Sequence, residues 1–554
     1  MIDLGINEEG LKHNIERARE LRIIIPTIAA MRDPATIPAT IQERLQTVGM
    51  DDVDPLNLFR ISWKNTPTAE VPAHAFAGGA PMSVVSAADM PTTEVPMSMV
   101  SATAASAAAT SAVAASSAAS ATMPLDQDDF QPFQHIPNYV EFPPELTGVK
   151  ARIIAMVGKW FPTGCHKVGA SFGCLAPRLV TGQFDVTRDK AVWPSTGNYC
   201  RGGAFNSKLL GAQGVAILPA EMSRERFEWL ASIGAEVIAT PGCESNVKEI
   251  FDKTKEIKRT PGYLVFNQFE EMGNPLWHYN VTGNALVDLF EAVRRDTPTL
   301  RLAGACFTSG SAGTLSAGDR LKDLYPQAKL AVGEALQCPT ILANGFGGHR
   351  IEGIGDKHIP WIHNVRNTDM IIDIDDEDSQ RLLRLFNTST GQSYLSEELG
   401  LSSQTIEQLT WLGISGIANL LCCIKFARYY ELTERDVVLT ILTDSAKLYQ
   451  SRIAELNEEY GPYAERDAVL DHHIHLLNLK TDNMAELNYQ QRKRVHNLKY
   501  YTWVEQQGRS EAELRALWYD PEDTWDAVHA QATELDELIR AFNAEVGIGT
   551  SGVL

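Results

Sequence analysis

The sequence predicts an α/β protein built on parallel sheets, with helical additions at both ends. Three observations carry that expectation. From about Asn138 onward, short apolar runs alternate with amphipathic stretches, the pattern of strand–helix–strand units. Glycine- and hydroxyl-rich loops, STGN, TSGSAGT and LTDS, stand where such runs end. The 554 residues are 44% hydrophobic and 21% charged, which excludes global disorder, collagen and coiled coil and allows about three to four domains.

Element by element, residues 1–69 open with amphipathic helical text, EEGLKHNIERARELR. Val95–Leu125 carries no charge, and residues 101–122 are nearly all Ala, Ser and Thr. That run is long enough to cross a bilayer. Its hydroxyls are costly in lipid, however, so a low-complexity, disordered insert over residues 70–135 is the expectation. The core, residues 136–453, then supplies the strand-like runs AVWPS, GVAILP, EVIATP, YLVFNQF, RLAGACFTSG, KLAVGEA, DMIIDID and VVLTILTD. Residues 454–554 turn charged and helical, as in RSEAELRALW and DELIRAFNAEV, and read as an appendage.

Lys plus Arg total 49 against 70 Asp plus Glu, a net charge of −21 that repels nucleic acid and anionic membrane surfaces. An anionic ligand must therefore be held by a local device. The acidic N-terminus lacks a signal-peptide pattern, and the eight cysteines form no CxxC pair, so thiols and a cytoplasmic setting are expected.

Four segments carry chemistry. Lys167 follows a Pro-Thr-Gly turn in WFPTGCHKVGA and opens an amphipathic stretch; it is either a solvated surface lysine or one held at an anion or an aldehyde cofactor. Ser195-Thr196-Gly197-Asn198 puts backbone N–H groups at a helix start, either as an anion site or as ordinary capping. Thr308–Thr314 (TSGSAGT) makes a nest suited to phosphate, without the lysine of a P-loop or GxGxxG spacing. Thr443-Asp444-Ser445 ends a buried strand and either serves a site or caps the next helix. Asp471-His472-His473-Ile474-His475 lies in charged helical text, where packing outweighs metal binding; no metal is expected. Cys422-Cys423 reads as core, and Cys165 and Cys200 as small packing residues that could be reactive.

The order of these motifs, together with Gln268, Asn274-Pro275, His278-Tyr279, HRIEGIG (349–355) and GISGIAN (413–419), resembles the fold-type-II pyridoxal-phosphate enzymes over residues 138–453. The resemblance is to the cysteine synthase and cystathionine β-synthase branch. It implies a two-lobed, tryptophan synthase β-like core, its smaller lobe at about 190–285, and pyridoxal phosphate on Lys167. Gly310, Ser311, Ala312, Gly313 and Thr314 would hold the phosphate, standing where the family writes GTGGT. Asn198 would meet the phenolic oxygen, Gly353 would line the site, and Ser445, with Thr443 as alternative, would face the pyridine nitrogen. Ser195, Thr196 and Gln268 would bind the substrate carboxylate.

The resemblance further implies β-replacement or β-elimination on a serine- or cysteine-like amino acid through an aminoacrylate intermediate, with Lys167 as base, a thiol or sulfide as possible nucleophile, and a homodimer. Alternatives are a cysteine desulfhydrase- or dehydratase-type lyase and an inactive scaffold subunit. Two departures bear on this. Val168-Gly169 replaces the Asp-Arg of cysteine synthases, and TGCH instead is similar to the tryptophan synthase β-subunit, which implies His166 beside the phosphate. Tyr199 replaces a small hydroxyl residue and would narrow the pocket.

Overall fold

The structure, a computed structural model, describes residues 1–67, 131–195, 197–242 and 247–548. Most of the low-complexity insert, and Thr196, therefore lie outside the described residues. The described strands are β1 (Tyr139–Phe142), β2 (Arg152–Val157), β3 (Lys190–Pro194), β4 (Gln213–Pro219), β5 (Glu236–Thr240), β6 (Tyr263–Val265), β7 (Arg301–Thr308), β8 (Lys329–Ala335), β9 (Met370–Ile374), β10 (Asp436–Leu442) and β11 (Met484–Glu486). They form two sheets, a seven-stranded one in the order β1-β2-β10-β7-β8-β9-β11 and a four-stranded one in the order β5-β4-β3-β6.

The central strands are parallel and apolar along their length because helices cover both faces. Every residue of β10 is buried, and Val438 registers against Ile153 of β2. The four-stranded sheet is parallel throughout, with Val192 opposite Val215 and Val265. All eight apolar runs read from the sequence become strands, β3 to β10.

Three strands were not read. β2 is a plain apolar run, RIIAMV, whereas β1 and β11 are short antiparallel edges whose pairing is set by distant partners. β11 also corrects the purely helical reading of the C-terminal appendage: Ala485 pairs with Ile371 of β9. Edge strands of three or four residues carry too few side chains to display a period.

The two ends of the chain meet on the core. Asp536, on the helix Ala527–Val546, accepts hydrogen bonds from the N–H groups of Ile28 (2.6 Å) and Ala29 (3.1 Å), capping the helix Ile28–Arg32 of the N-terminal segment. Asn543 clasps the Ile25 backbone with both ends of its amide. No single helix among the described residues is long and apolar enough to cross a membrane.

Candidate active site

The carboxyl ends of parallel strands gather the loops of interest, as expected for ligand sites in open α/β sheets. Ser195 follows β3, the run to Gln268 follows β6, Ser309–Thr314 follows β7 and Thr443 follows β10. Lys167 arrives after β2 through the turn Pro162–Gly164, in which Thr163 adopts φ +68°. That conformation is costly for a residue with a Cβ. It is held from both sides: the Thr163 N–H donates to Asp51 (2.8 Å), and Arg201 donates to the Thr163 carbonyl (2.8 Å). Asn65 donates to the Trp160 carbonyl (2.9 Å), so two residues of the N-terminal segment brace the turn.

Lys167 begins the helix Lys167–Val180. Its Nζ donates to Gln268 Oε1 (3.3 Å), and Gln268 Nε2 donates to Ser195 Oγ (3.3 Å), which also accepts from the Gly197 N–H (3.1 Å). These residues line one cleft with Asn198, Tyr199 and Asp356, while a second cleft shares Lys167, Gly310, Ser311 and Gly353 with the first. The structure thus brings Ser195 and Gln268, two of the three expected substrate residues, and the glycine-rich loop together around the Lys167 amine.

The second cleft has the character of an anion pocket. It is lined by Thr308, Gly310, Ser311, Ala312 and Thr314, and closed by His166, His278, Asn419 and Thr443. Gly313 packs so closely that a Cβ would lie 2.1 Å from Asn274 Oδ1. Ala312 sits at φ +68°, a left-handed conformation that the family's glycine would adopt without cost. His166 is buried, and neither ring nitrogen has a hydrogen-bond partner. Burial, with a smaller push from Lys167, drives its imidazole down to about 3. Its ring packs on Trp63 (5.5 Å) and edge-on to His278 (5.2 Å).

Asn198 is oriented by two neighbours. Its Nδ2 donates to Asp444 (2.6 Å) and its Oδ1 accepts from Arg201 (3.2 Å), which leaves one amide proton to offer the cleft. Asp444 is buried, its carboxyl raised by desolvation, and it also accepts from Tyr449 (2.7 Å). Behind it, the buried Arg226 pairs with Glu352, to which Arg452 also donates (2.6 Å).

Ser445 and its alternative Thr443 are separated by the fold. Thr443, the alternative, lines the cleft; Ser445 does not, because the chain turns after β10. Ala446 N–H donates to Thr410 and the Ser445 carbonyl accepts from Leu448, which starts the turn Ala446–Tyr449. The 471–475 cluster disperses, His472 meeting Tyr394 and His475 meeting Asp378, and no metal-like group of side chains occurs among the described residues. Burial pushes Cys165 and Cys200 up to about 12, so both remain thiols at neutral pH. His278, Asp444 and Asn419 stand inside motifs read from the sequence but received no role there, and Asp356 was not singled out. The signal that could have found Asp356 is the HRIEGIG stretch directly before it.

A helix-start lysine beside a glycine-rich anion nest is the arrangement that suits a protein holding a phosphorylated carbonyl cofactor. Comparison with known proteins agrees. The family described as "Pyridoxal-phosphate dependent enzyme" matches residues 161–394. A cysteine synthase of Staphylococcus aureus is 31% identical over 264 residues, covering 48% of this chain and 76% of the relative. Cystathionine beta-synthase of Saccharomyces cerevisiae is 25% identical over 323 residues, 56% of this chain and 59% of the relative. A crystal structure of an O-acetylserine dependent cystathionine beta-synthase from Helicobacter pylori covers 57% of this chain and 95% of its own, at 24% identity and TM-score 0.47. The chain belongs to the pyridoxal-phosphate-dependent enzyme family, and its cofactor is pyridoxal phosphate.

The residues present fit that group. The orphaned His166 nitrogens and the nest of residues 310–314 suit a phosphate, and Lys167 supplies the amine that a cofactor carbonyl requires.

Proposed function

We propose that this enzyme carries out β-replacement or β-elimination on a serine- or cysteine-like amino acid. The observation that carries the reading is the Lys167–Gln268–Ser195 chain facing the Gly310–Thr314 nest across a single cleft system. When bound, pyridoxal phosphate supplies the electron sink that makes an amino acid's Cα proton removable. Lys167 would hold the cofactor through its amine and would carry the Cα proton as a base. Gly310 to Thr314 and His166 would hold the phosphate, Asn198 would offer its remaining amide proton, and Thr443 would supply a hydroxyl toward the ring. Thr443 is a neutral hydroxyl, which leaves the sink weaker than a carboxylate partner would and favours prompt loss of a β-substituent. Ser195 and Gln268 take the substrate carboxylate, and Tyr199 narrows the cleft beside them.

The reading includes a thiol or sulfide nucleophile, a homodimer and a cytoplasmic setting, checked by product analysis, light scattering and fractionation. The relatives named cysteine synthase and cystathionine beta-synthase support the β-replacement part of the reading. The direct test is spectroscopic. Wild type saturated with cofactor shows a band at roughly 410–430 nm that Lys167→Ala abolishes; absence of the band in wild type refutes the reading. Pyruvate and ammonia without added thiol indicate elimination, and a new thioether or cysteine on adding a nucleophile indicates replacement.

A further inference from the structure

Asp356 follows the HRIEGIG stretch and faces the same cleft as Lys167, Ser195 and Gln268. Its Oδ2 is sealed from solvent and has no hydrogen-bond partner. A buried carboxyl oxygen left unpaired costs free energy, so it persists where something outside the resting protein completes it. The loop that carries it is pinned. Gly355 N–H donates to the Ser309 carbonyl (2.9 Å), and the Gly355 carbonyl meets His349 (3.1 Å). His358 packs on Phe269 (4.8 Å), and Trp503 of the C-terminal appendage donates to Ile359 (2.8 Å). The backbone on either side of Asp356 is therefore fixed.

We propose that Asp356 is the acid–base group for the β-substituent, protonating the leaving atom and deprotonating the incoming nucleophile; this rests on the proposed β-chemistry above. In the first half, Lys167 takes the Cα proton, and that bond's electron pair becomes the Cα=Cβ bond. The Cβ–X bond breaks with its pair on X, and Asp356 gives X its proton, so that X leaves as water or hydrogen sulfide. In the second half, a thiol adds its sulfur to Cβ, its proton passes to the Asp356 carboxylate, and Lys167 returns a proton to Cα. Burial holds the Asp356 carboxyl up to about 7 against the opposing pull of Lys167, so both protonation states are accessible near neutrality.

The consequence is a substrate class. Hydroxide and thiolate are poor leaving groups that need a proton, whereas carboxylates and chloride depart without one. The geometry therefore points to free serine or cysteine, not an acylated serine, as the natural amino acid.

The test follows release of the β-substituent, without added thiol, by the cofactor-loaded enzyme and its Asp356→Asn variant from L-serine, L-cysteine, O-acetyl-L-serine and 3-chloro-L-alanine. Expected is a loss of kcat with serine and cysteine about 100-fold greater than the loss with the other two, together with an unchanged cofactor band. Asp356→Glu, which keeps a carboxyl, recovers part of the serine turnover. Equal losses on all four substrates, no loss on any, or an Asn variant that cannot hold cofactor would each overturn the assignment. Wild type that turns over only the acylated and chlorinated amino acids also overturns it, while leaving the β-chemistry standing. Wild type inert toward all four refutes the broader reading.

Discussion

Replacing Gly313 by alanine places a methyl carbon 2.1 Å from Asn274 Oδ1 and 2.7 Å from its Cγ. Asn274 cannot yield freely, because its Nδ2 donates to the Gln268 carbonyl (3.0 Å) and to Ser311 Oγ (3.2 Å). Giving up both bonds costs about 2 kcal/mol, and the residual overpacking at least about 1 kcal/mol. The total of about 3 kcal/mol can surface in two ways. If Asn274 moves, the protein loses stability. If the loop moves, its N–H groups leave the anion nest, and cofactor affinity falls by about 100-fold. Cofactor titration by absorbance and the urea midpoint, measured together, capture both routes. As a control, Gly461→Ala at φ +78° meets no atom within 4 Å. It costs only the strain of that glycine-favouring backbone region (ψ −177°), about 1–3 kcal/mol, and leaves cofactor affinity alone. A Gly313→Ala protein with both quantities within about 0.5 kcal/mol of wild type, a small fraction of the cost of such overpacking, would refute the close-approach argument.

Two further expectations follow from buried charge. Glu352→Gln leaves the fully buried Arg226 without its carboxylate and costs about 3–5 kcal/mol in urea unfolding. The double variant Arg226→Met, Glu352→Leu recovers most of that loss, and a double variant as unstable as Glu352→Gln contradicts the account. His529 is buried, stacked on Tyr279 at 3.8 Å, and pushed down to about 3 by burial. The unfolded imidazole binds a proton below about 6.5 while the folded one does not, so its contribution is present above that pH and is lost as pH falls toward 3. Relative to wild type, His529→Phe therefore gains about 1.4 kcal/mol between pH 7.5 and 5.5. An equal stability difference at the two pH values shows that the ring is not held neutral.

Much of the site was readable because its parts are local. Lys167 after PTGCH, Ser195 and Asn198 in STGN, and the nest in GSAGT each occupy a few consecutive residues at the end of an apolar run, and strand length and loop chemistry are both visible in such text. Ser445 shows the limit. Two hydroxyl residues flank Asp444, and which of them enters the cleft depends on where the chain turns after Leu442, a matter settled by hydrogen bonds to Thr410 and Leu448. Asp356 shows another limit: an acid beside two glycines looks like any loop residue until its Oδ2 is found sealed and unpartnered.

By itself, the sequence determined the alternation of strand and helix, the parallel class of the sheet, and the order of the cofactor-binding loops, because periodicity and turn chemistry act over a few residues. Only the tertiary structure decided the long-range facts: that Asp51, Trp63 and Asn65 support the lysine turn and its histidine, that β11 closes the sheet edge on β9, and that Asp444 orients Asn198 from 246 residues away. Each depends on two distant segments meeting in space, and burial and hydrogen-bond satisfaction act only once they have met.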